Sequence, residues 1–569
     1  MAAAAAPSPA GGPRTLRFAR AAAPTLLTTN GAAGIMAARR LPATARSAHT
    51  DRCMSARLTG PHASPGEPEP IAVIDVGSNS LRMMIARPRS DGYLEVIAEP
   101  RATVRLARAV DATGGLPTEA LDRTLTVLDD FMALAARRGV ARVSAVGTAA
   151  LRDAGNAFDL EAAIRDRWGI ELEVLDGETE GRRAALGAIY GLPVEHGLVV
   201  DLGGGSLQIA RFRDRAIRET WSFPLGTLRL TDRLLPSDPP SDQEIEALRL
   251  HVRAELVSAG VPRLARDEVL VGTGGTVRNL AAVSRRGRRY PIVRVHGYTL
   301  TSRRLRRVRN RLASLKPAQR RLVPGLNRDR SDIIVAGASG VLAVAEHVRG
   351  RSLLVSGQGL REGVARGDGP LPDPPIVRRA SVGALARRFA SWDDDRARRR
   401  TGIVELLLAL LDPEAGEGLR ETLRYASTLY DIGGSVDAYR RQRAAAEIVL
   451  SADLSGFAHD DVARLAALIR IAHRPQTLAR VLRPLLGPED DEALQRAAAL
   501  LVLADAMELR LPPGAPPQVT LDAGGDLRVL LPGRSSWRPD RIAARLEQVF
   551  GRRLLIEDER GKVGVLGGG

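Results

Sequence analysis

The sequence states one pattern twice. Ile71-Ala-Val-Ile-Asp75-Val-Gly77-Ser78-Asn79-Ser80-Leu-Arg-Met-Met-Ile-Ala-Arg87 is an apolar run that breaks on a Gly-Ser-Asn-Ser turn and resumes as a second apolar run. Two buried strands joined by a tight turn fit that pattern. Leu198-Val-Val-Asp201-Leu-Gly203-Gly204-Gly205-Ser206-Leu-Gln208-Ile-Ala-Arg repeats it, with Asp201 standing 126 residues after Asp75. A hairpin recurring at that distance predicts a duplicated α/β domain, with one acidic glycine turn in each half.

Between and after the hairpins, other elements are legible. Tyr93–Glu99 and Arg101–Val110 read as weaker strands. A helix is predicted from Thr118, with Leu121, Leu125, Leu128, Met132 and Ala135 on one face and Gly139 ending it. Val143–Gly147 reads as a strand, followed by a helix reaching Trp168. Glu171–Leu175 is another strand, and Asp176-Gly-Glu-Thr-Glu180 opens a helix to about Tyr190. Gly272-Thr-Gly-Gly-Thr276 is a strand-to-helix turn, and Ser356-Gly-Gln-Gly-Leu-Arg-Glu-Gly363 is a second one.

A Pro-Gly linker, Gly367 to Pro375, separates this region from an Ala-, Leu- and Arg-rich stretch with helical periods over 376–510. A second linker, Pro512 to Pro517, precedes a strand-strand-helix-strand module from Gln518 to about Asp558. At 569 residues the chain is too long for one core. The boundaries predicted are 70–195 and 196–366 for the two halves, 376–510 for the helical domain and 518–560 for the last module.

The formal charge of +17 is carried almost wholly by arginine. It fits an anionic partner such as polyphosphate, nucleotides, nucleic acid or acidic lipid, and equally a composition that writes arginine at ordinary surface positions. The Arg-dense runs Arg303–Arg311 and Arg396–Arg400 read as solvated helix faces or, for a polyanionic partner, as a lining of its track. One cysteine, Cys53, rules out an intrachain disulfide framework and suits a reducing, cytoplasmic setting. No run of 18 apolar residues occurs, so no membrane partner is expected. Residues 1–69 have no acidic residue before Asp51 and no sustained period, and are not expected to fold. They read as a transit-type leader or, given Met36 and Met54, as a start placed too early.

Two Asp-x-Gly turns facing each other have a physical use. Backbone N–H groups freed by glycine form nests for phosphate oxygens. Gly77, Ser78, Asn79 and Ser80 from the first turn, with Gly203, Gly204, Gly205 and Ser206 from the second, supply such donors. An aspartate at each strand end, Asp75 and Asp201, suits Mg²⁺, an ion that keeps several waters and needs few carboxylates.

The ordered set Asp75-Val-Gly-Ser-Asn-Ser, Gly147-Thr-Ala-Ala-Leu-Arg152, Asp176-Gly-Glu-Thr-Glu180, Asp201-Leu-Gly-Gly-Gly-Ser206, Gly272-Thr-Gly-Gly-Thr276 and Ser356–Gly363 resembles the exopolyphosphatase/guanosine pentaphosphate phosphohydrolase family. The match runs over about 71–365 and more loosely to about 510. The resemblance implies two actin-like, ribonuclease H-like domains around a cleft, followed by a helical domain related to metal-dependent His-Asp hydrolases. It implies Mg²⁺-dependent removal of terminal phosphate from polyphosphate, or of the 5′ phosphate from guanosine pentaphosphate. Glu180 matches the family's catalytic glutamate, which activates water. Arg152 matches a phosphate-contacting arginine and Asp201 a Mg²⁺-holding aspartate, with Asp75 at the equivalent point of the first turn.

Three departures stand out. Thr179-Glu180-Gly181 replaces the family's Glu-Glu-Ala, and Gln208 stands where the family has a metal-holding glutamate. In the helical domain Tyr430 of Tyr430-Asp431 stands where a ligand histidine would, with Arg443 and Ala445 near a second histidine pair, so no metal is expected there. That domain is expected to extend a polyphosphate track or form a homodimer contact. The eight histidines are expected to be ordinary surface or core residues. The leading expectation is polyphosphate hydrolysis, with guanosine pentaphosphate as the alternative substrate and no specific nucleic acid. Gln208, Thr179 and Gly181 keep open a phosphate-binding regulator that has lost turnover. A small-molecule kinase is a third, weaker reading.

Overall fold

Each hairpin is the root of a six-stranded sheet in the computed structural model, which describes residues 68–288, 290–474, 480–532, 537–558 and 563–566. The predicted unfolded segment therefore lies almost wholly outside the described residues. In the first sheet β1 (Ile71–Val76), β2 (Ser80–Pro88) and β3 (Leu94–Ala98) are antiparallel, and the short β4 (Arg101–Thr103) also pairs with β2. Strands β5 (Arg142–Gly147) and β6 (Leu172–Val174) continue the sheet in parallel beyond β1.

The second sheet repeats the plan. Its antiparallel strands are β7 (Gly197–Leu202), β8 (Leu207–Arg213) and β9 (Ala216–Phe223). Strand β10 (Val269–Thr273) runs parallel to β7, and β12 (Ser352–Val355) parallel to β10. An antiparallel β11 (Tyr298–Thr301) closes the edge. Both orders run third, second, first across the hairpin strands and continue into two parallel strands, β5 and β6 in one sheet and β10 and β12 in the other, which is the duplication the two hairpins predict.

Strand β1 is buried along nearly its whole length, as expected where helices cover both faces of a partly parallel sheet. The parallel strands β1, β5, β7 and β10 bring their carboxyl ends to one region, where open α/β sheets place ligands.

Some local expectations change. Residues 106–113 are helical rather than strand: Val104 and Arg105 donate their N–H groups to Asn79 O, and Arg105 turns the chain in the left-handed region. Leu106, Ala107 and Val110 then fall on one buried helical face. In the helix Thr118–Arg137 the buried face is Ala120, Thr124, Leu128, Phe131 and Ala135, with Leu121, Leu125 and Met132 on its flank.

Between Pro374 and Glu508 the described residues form helices and no strand. Here the Arg396–Arg400 run is a solvated face at Arg398 and not at Arg396, Arg399 or Arg400. Arg400 is fully buried and donates to Asp431 and Asp505 at 2.8 and 2.6 Å, while Arg396 and Arg399 reach Glu508. Carboxylates supplied by distant helices decided this, and the run itself carries no trace of them. The last module has β13 (Gln518–Leu521), β14 (Leu527–Leu531), the helix Asp540–Phe550 and β15 (Leu554–Asp558). A fourth strand, β16 (Val563–Leu566), completes it beyond the predicted end.

Candidate active site

The two glycine turns face each other across a cleft. A Cβ added at Gly204 would lie 3.0 Å from Asn79 Cβ, and one at Gly205 would lie 2.6 Å from Ser78 Oγ. Only glycine lets the turns approach this closely. Ser78, Asn79, Ser80 and Ser206 are buried in this wall, with Gly77, Gly203, Gly204 and Gly205 between them.

Asp75 and Asp201 lie at the ends of β1 and β7, at equivalent points of the repeat. Within the hairpins Asp75 is paired with Arg82, and Asp201 with Gln208. Arg82 Nε donates to Ser80 Oγ (3.3 Å), and Gln208 Nε2 donates to Ser206 Oγ (2.7 Å), so the repeat extends to these side chains. Desolvation pushes the Asp75 carboxyl up to about 6 against the pull of Arg82 and Arg361, and it raises Asp201 as well. Asp75 Oδ1 is buried with no hydrogen-bond partner among the described residues. Two carboxylates on one cleft, one of them with an orphaned buried oxygen, fit a hard divalent cation that keeps waters. No cluster of three His, Cys, Asp or Glu residues able to hold a metal occurs among the described residues. Any further ligands would be water or phosphate, and Gln208 adds no charge.

Glu180 enters the same cleft from the first turn of the helix Gly177–Tyr190. Asp176 caps that helix by accepting from Thr179 N–H at 2.8 Å, which orients the turn. Glu180 is buried, and burial pushes its carboxyl up to about 7 although Arg152 pulls it down. Arg152 Nη1 donates to Glu180 Oε2 at 3.0 Å and to Leu175 O at 2.5 Å. The structure thus places Arg152 behind the glutamate, outside the residues that line the cleft.

Four arginines absent from the sequence-based site line the cleft: Arg82, Arg278, Arg330 and Arg361. Arg361 is held by Glu99 (2.8 Å) and Met83 O (3.2 Å). Among the described residues Arg278 donates only to the carbonyls of Gly274 and Gly357. The buried Arg330 guanidinium makes no hydrogen bond or ion pair among the described residues. Its desolvation, beside Arg278, lowers it to about 10, and Arg82 is lowered well below the usual range by the same causes. Arg82, Arg278 and Arg330 thus present positive charge with no carboxylate partner within ion-pair distance among the described residues. Such an arrangement calls for an anion.

Glycine shapes this wall too. At Gly274 φ is +82°, and a Cβ would lie 2.1 Å from Asp201 Oδ1; at Gly275 it would lie 2.2 Å from Arg330 Nη2. Arg82 could have been found by aligning the repeat, since it occupies the place of Gln208, and Arg361 lies inside the Ser356–Gly363 motif. Arg330, on a three-residue turn of 3₁₀ helix, has no sequence signal.

The family model of the Ppx/GppA phosphatase family matches residues 84–370. The chain is similar to exopolyphosphatase 1 of Mycobacterium tuberculosis, 30% identical over 332 residues, covering 57% of this chain and 96% of the relative. It is 34% identical to exopolyphosphatase 2 of the same organism over 315 residues, covering 52% and 97%. The solved structure of the Aquifex aeolicus Ppx/GppA family member is 32% identical and covers 52% of this chain and 96% of its own, with a TM-score of 0.47.

Proposed function

This chain belongs to the Ppx/GppA phosphatase family, and on that premise we propose that it hydrolyses terminal phosphoanhydride bonds of inorganic polyphosphate. The observation that carries the reading is a buried carboxylate, Glu180, set in the same cleft as three arginines that lack carboxylate partners. The relatives it resembles are exopolyphosphatases. No aromatic side chain lines the cleft among the described residues, so it offers charge for phosphate and no platform for stacking a base. This favours the plain phosphate chain over guanosine pentaphosphate.

The terminal phosphoryl group sits against the two glycine turns, where N–H groups and the Ser78, Ser80 and Ser206 hydroxyls meet its oxygens. Arg82, Arg278 and Arg330 bind the non-bridging oxygens. Ionised Glu180 takes a proton from a water as that water's oxygen bonds to phosphorus. The bridging P–O bond then breaks, and the shortened chain leaves with its charge offset by the arginines. Residues Asp75 and Asp201 would hold Mg²⁺, which supplies charge neutralisation at the phosphate oxygens when bound. Arg152 keeps Glu180 aimed and more acidic than burial alone would leave it.

The test is phosphate release from long-chain polyphosphate and, separately, guanosine pentaphosphate, with Mg²⁺, for the wild type and Glu180→Gln. The expected outcome is release from polyphosphate that falls by a factor on the order of 10²–10⁴ in the variant, with tripolyphosphate binding retained. Faster release from guanosine pentaphosphate would move the substrate assignment. Tight polyphosphate binding without release would turn the reading to a regulator, with Gln208 as the reason.

A further inference from the structure

His296 lies outside the cleft and outside every motif, yet its buried ring joins two elements that build the site. Its Nε2 is 2.7 Å from Gly191 O, and its Nδ1 is 3.1 Å from Gly357 N. A carbonyl oxygen can only accept and a backbone N–H can only donate, so Nε2 carries the proton and Nδ1 is bare. One neutral tautomer satisfies both contacts.

The fit is built tightly. A Cβ at Gly191 would lie 2.9 Å from His296 Cε1, and one at Gly357 would lie 3.1 Å from His296 Cβ.

Gly191 ends the helix whose first turn carries Glu180. Gly357 begins the loop that leads through Gly359 into the helix Leu360–Arg366, which brings Arg361 and Glu362 to the cleft. That loop is also tied to the cleft directly: Arg278 Nη1 donates to Gly357 O and Thr273 Oγ1 to Gln358 O, both at 2.5 Å. The two helices cross at glycine, since a Cβ at Gly363 would meet Arg183 O at 1.8 Å. A crossing this close leaves little freedom, so pinning its end fixes how Glu180 faces the arginines.

The helical region grips the same junction. His459 Nε2 donates to His296 O (2.8 Å), with its Nδ1 accepting from Tyr290 Oη (2.8 Å). Gly456 N–H donates to Gly191 O (2.6 Å), and Gln358 Nε2 to Ser455 Oγ (3.1 Å). Burial holds the His459 ring neutral, at about 4.

We propose that His296 is a positioning residue of the reaction, and that the segment Ser455–His459 makes the helical region a brace for the cleft. Through it, the Glu180 helix and the Gly357–Glu362 loop are held in register. The role rests on the hydrolase reading above, so the test carries a second readout that does not depend on turnover.

The full chain is made as wild type, His296→Ala, His296→Gln and Ser455→Ala. Each is assayed for phosphate release from polyphosphate and for backbone hydrogen exchange over 177–191 and 356–363. For His296→Ala, kcat is expected to fall on the order of tenfold to a hundredfold, as for a misplacement of about 1 Å, with KM changing less. Exchange should quicken in both segments together. His296→Gln, which can offer an acceptor and a donor, should restore part of both, and Ser455→Ala should show a smaller loss of the same kind. Unchanged exchange in His296→Ala, or faster exchange with kcat within twofold of wild type, would overturn the proposal. A wild type that releases no phosphate would count against the hydrolase reading, and quickened exchange in both segments would still uphold the brace.

Discussion

Replacing Arg152 by glutamine separates two roles that sequence and structure assign it. Family resemblance makes it a phosphate contact, whereas the structure sets it 3.0 Å from Glu180 Oε2 and 2.5 Å from Leu175 O, with its side chain 26% exposed. A cation beside a carboxylate favours the ionised form, so its loss raises the carboxyl further. Glu180 already stands at about 7. An opposite charge this close is worth roughly 1–3 pKa units. One unit leaves about a tenth of Glu180 ionised at pH 7 and two units about a hundredth, so kcat/KM there falls roughly fivefold to fiftyfold.

The sign follows from the base role proposed for Glu180. The acid limb of the profile moves to higher pH, and the rate recovers once the pH passes the new value. Glutamine can still donate to Leu175 O, which limits the change in shape. The assay is kcat/KM for phosphate release between pH 5.5 and about 9.5, the range over which the free enzyme's base reports its ionisation. A uniform loss at every pH with an unmoved acid limb would refute the reasoning and make Arg152 a substrate contact.

Two further outcomes follow from charges the fold buries. Arg330→Met removes a buried cation that has no partner among the described residues, so the free protein should melt no lower than wild type. Tripolyphosphate should then bind at least about tenfold more weakly, from the loss of a charge-assisted contact of roughly 1.5–3 kcal/mol. Titration calorimetry would read this, and unchanged affinity would remove Arg330 from the site. Arg400→Leu removes one of three arginines that reach Asp431 and Asp505, with Arg396 and Arg441 remaining, and should lower unfolding free energy by about 1–3 kcal/mol, read from urea denaturation. A loss below about 1 kcal/mol would show that the network contributes little.

Much of the site was legible because it is local. The glycine turns, Asp75, Asp201 and Glu180 each stand in a contiguous run whose periodicity, turn residues and capping aspartate specify a strand end or a first helical turn. The repeat itself announced two equivalent sheets. Less legible was anything set by one segment's contact with another. Arg105 in the left-handed region, which turns a predicted strand into a helix, depends on Asn79 O lying across the hairpin. The paired Arg396–Arg400 run depends on carboxylates about 30 to 110 residues away in sequence.

The sequence by itself determined the duplicated α/β plan, the family, and the glycine turns and carboxylates that come together in one cleft. Those features rest on short-range sterics and hydrophobic period, which a chain carries in its local order. Only the tertiary structure decided that Arg82, Arg278 and Arg330 converge with no carboxylate partner among the described residues, that Arg152 stands behind Glu180, and that His296 bridges Gly191 and Gly357. Charge pairing and desolvation depend on distances between segments remote in sequence. An arginine written in the chain looks the same whether its counter-ion is a carboxylate, water or a substrate.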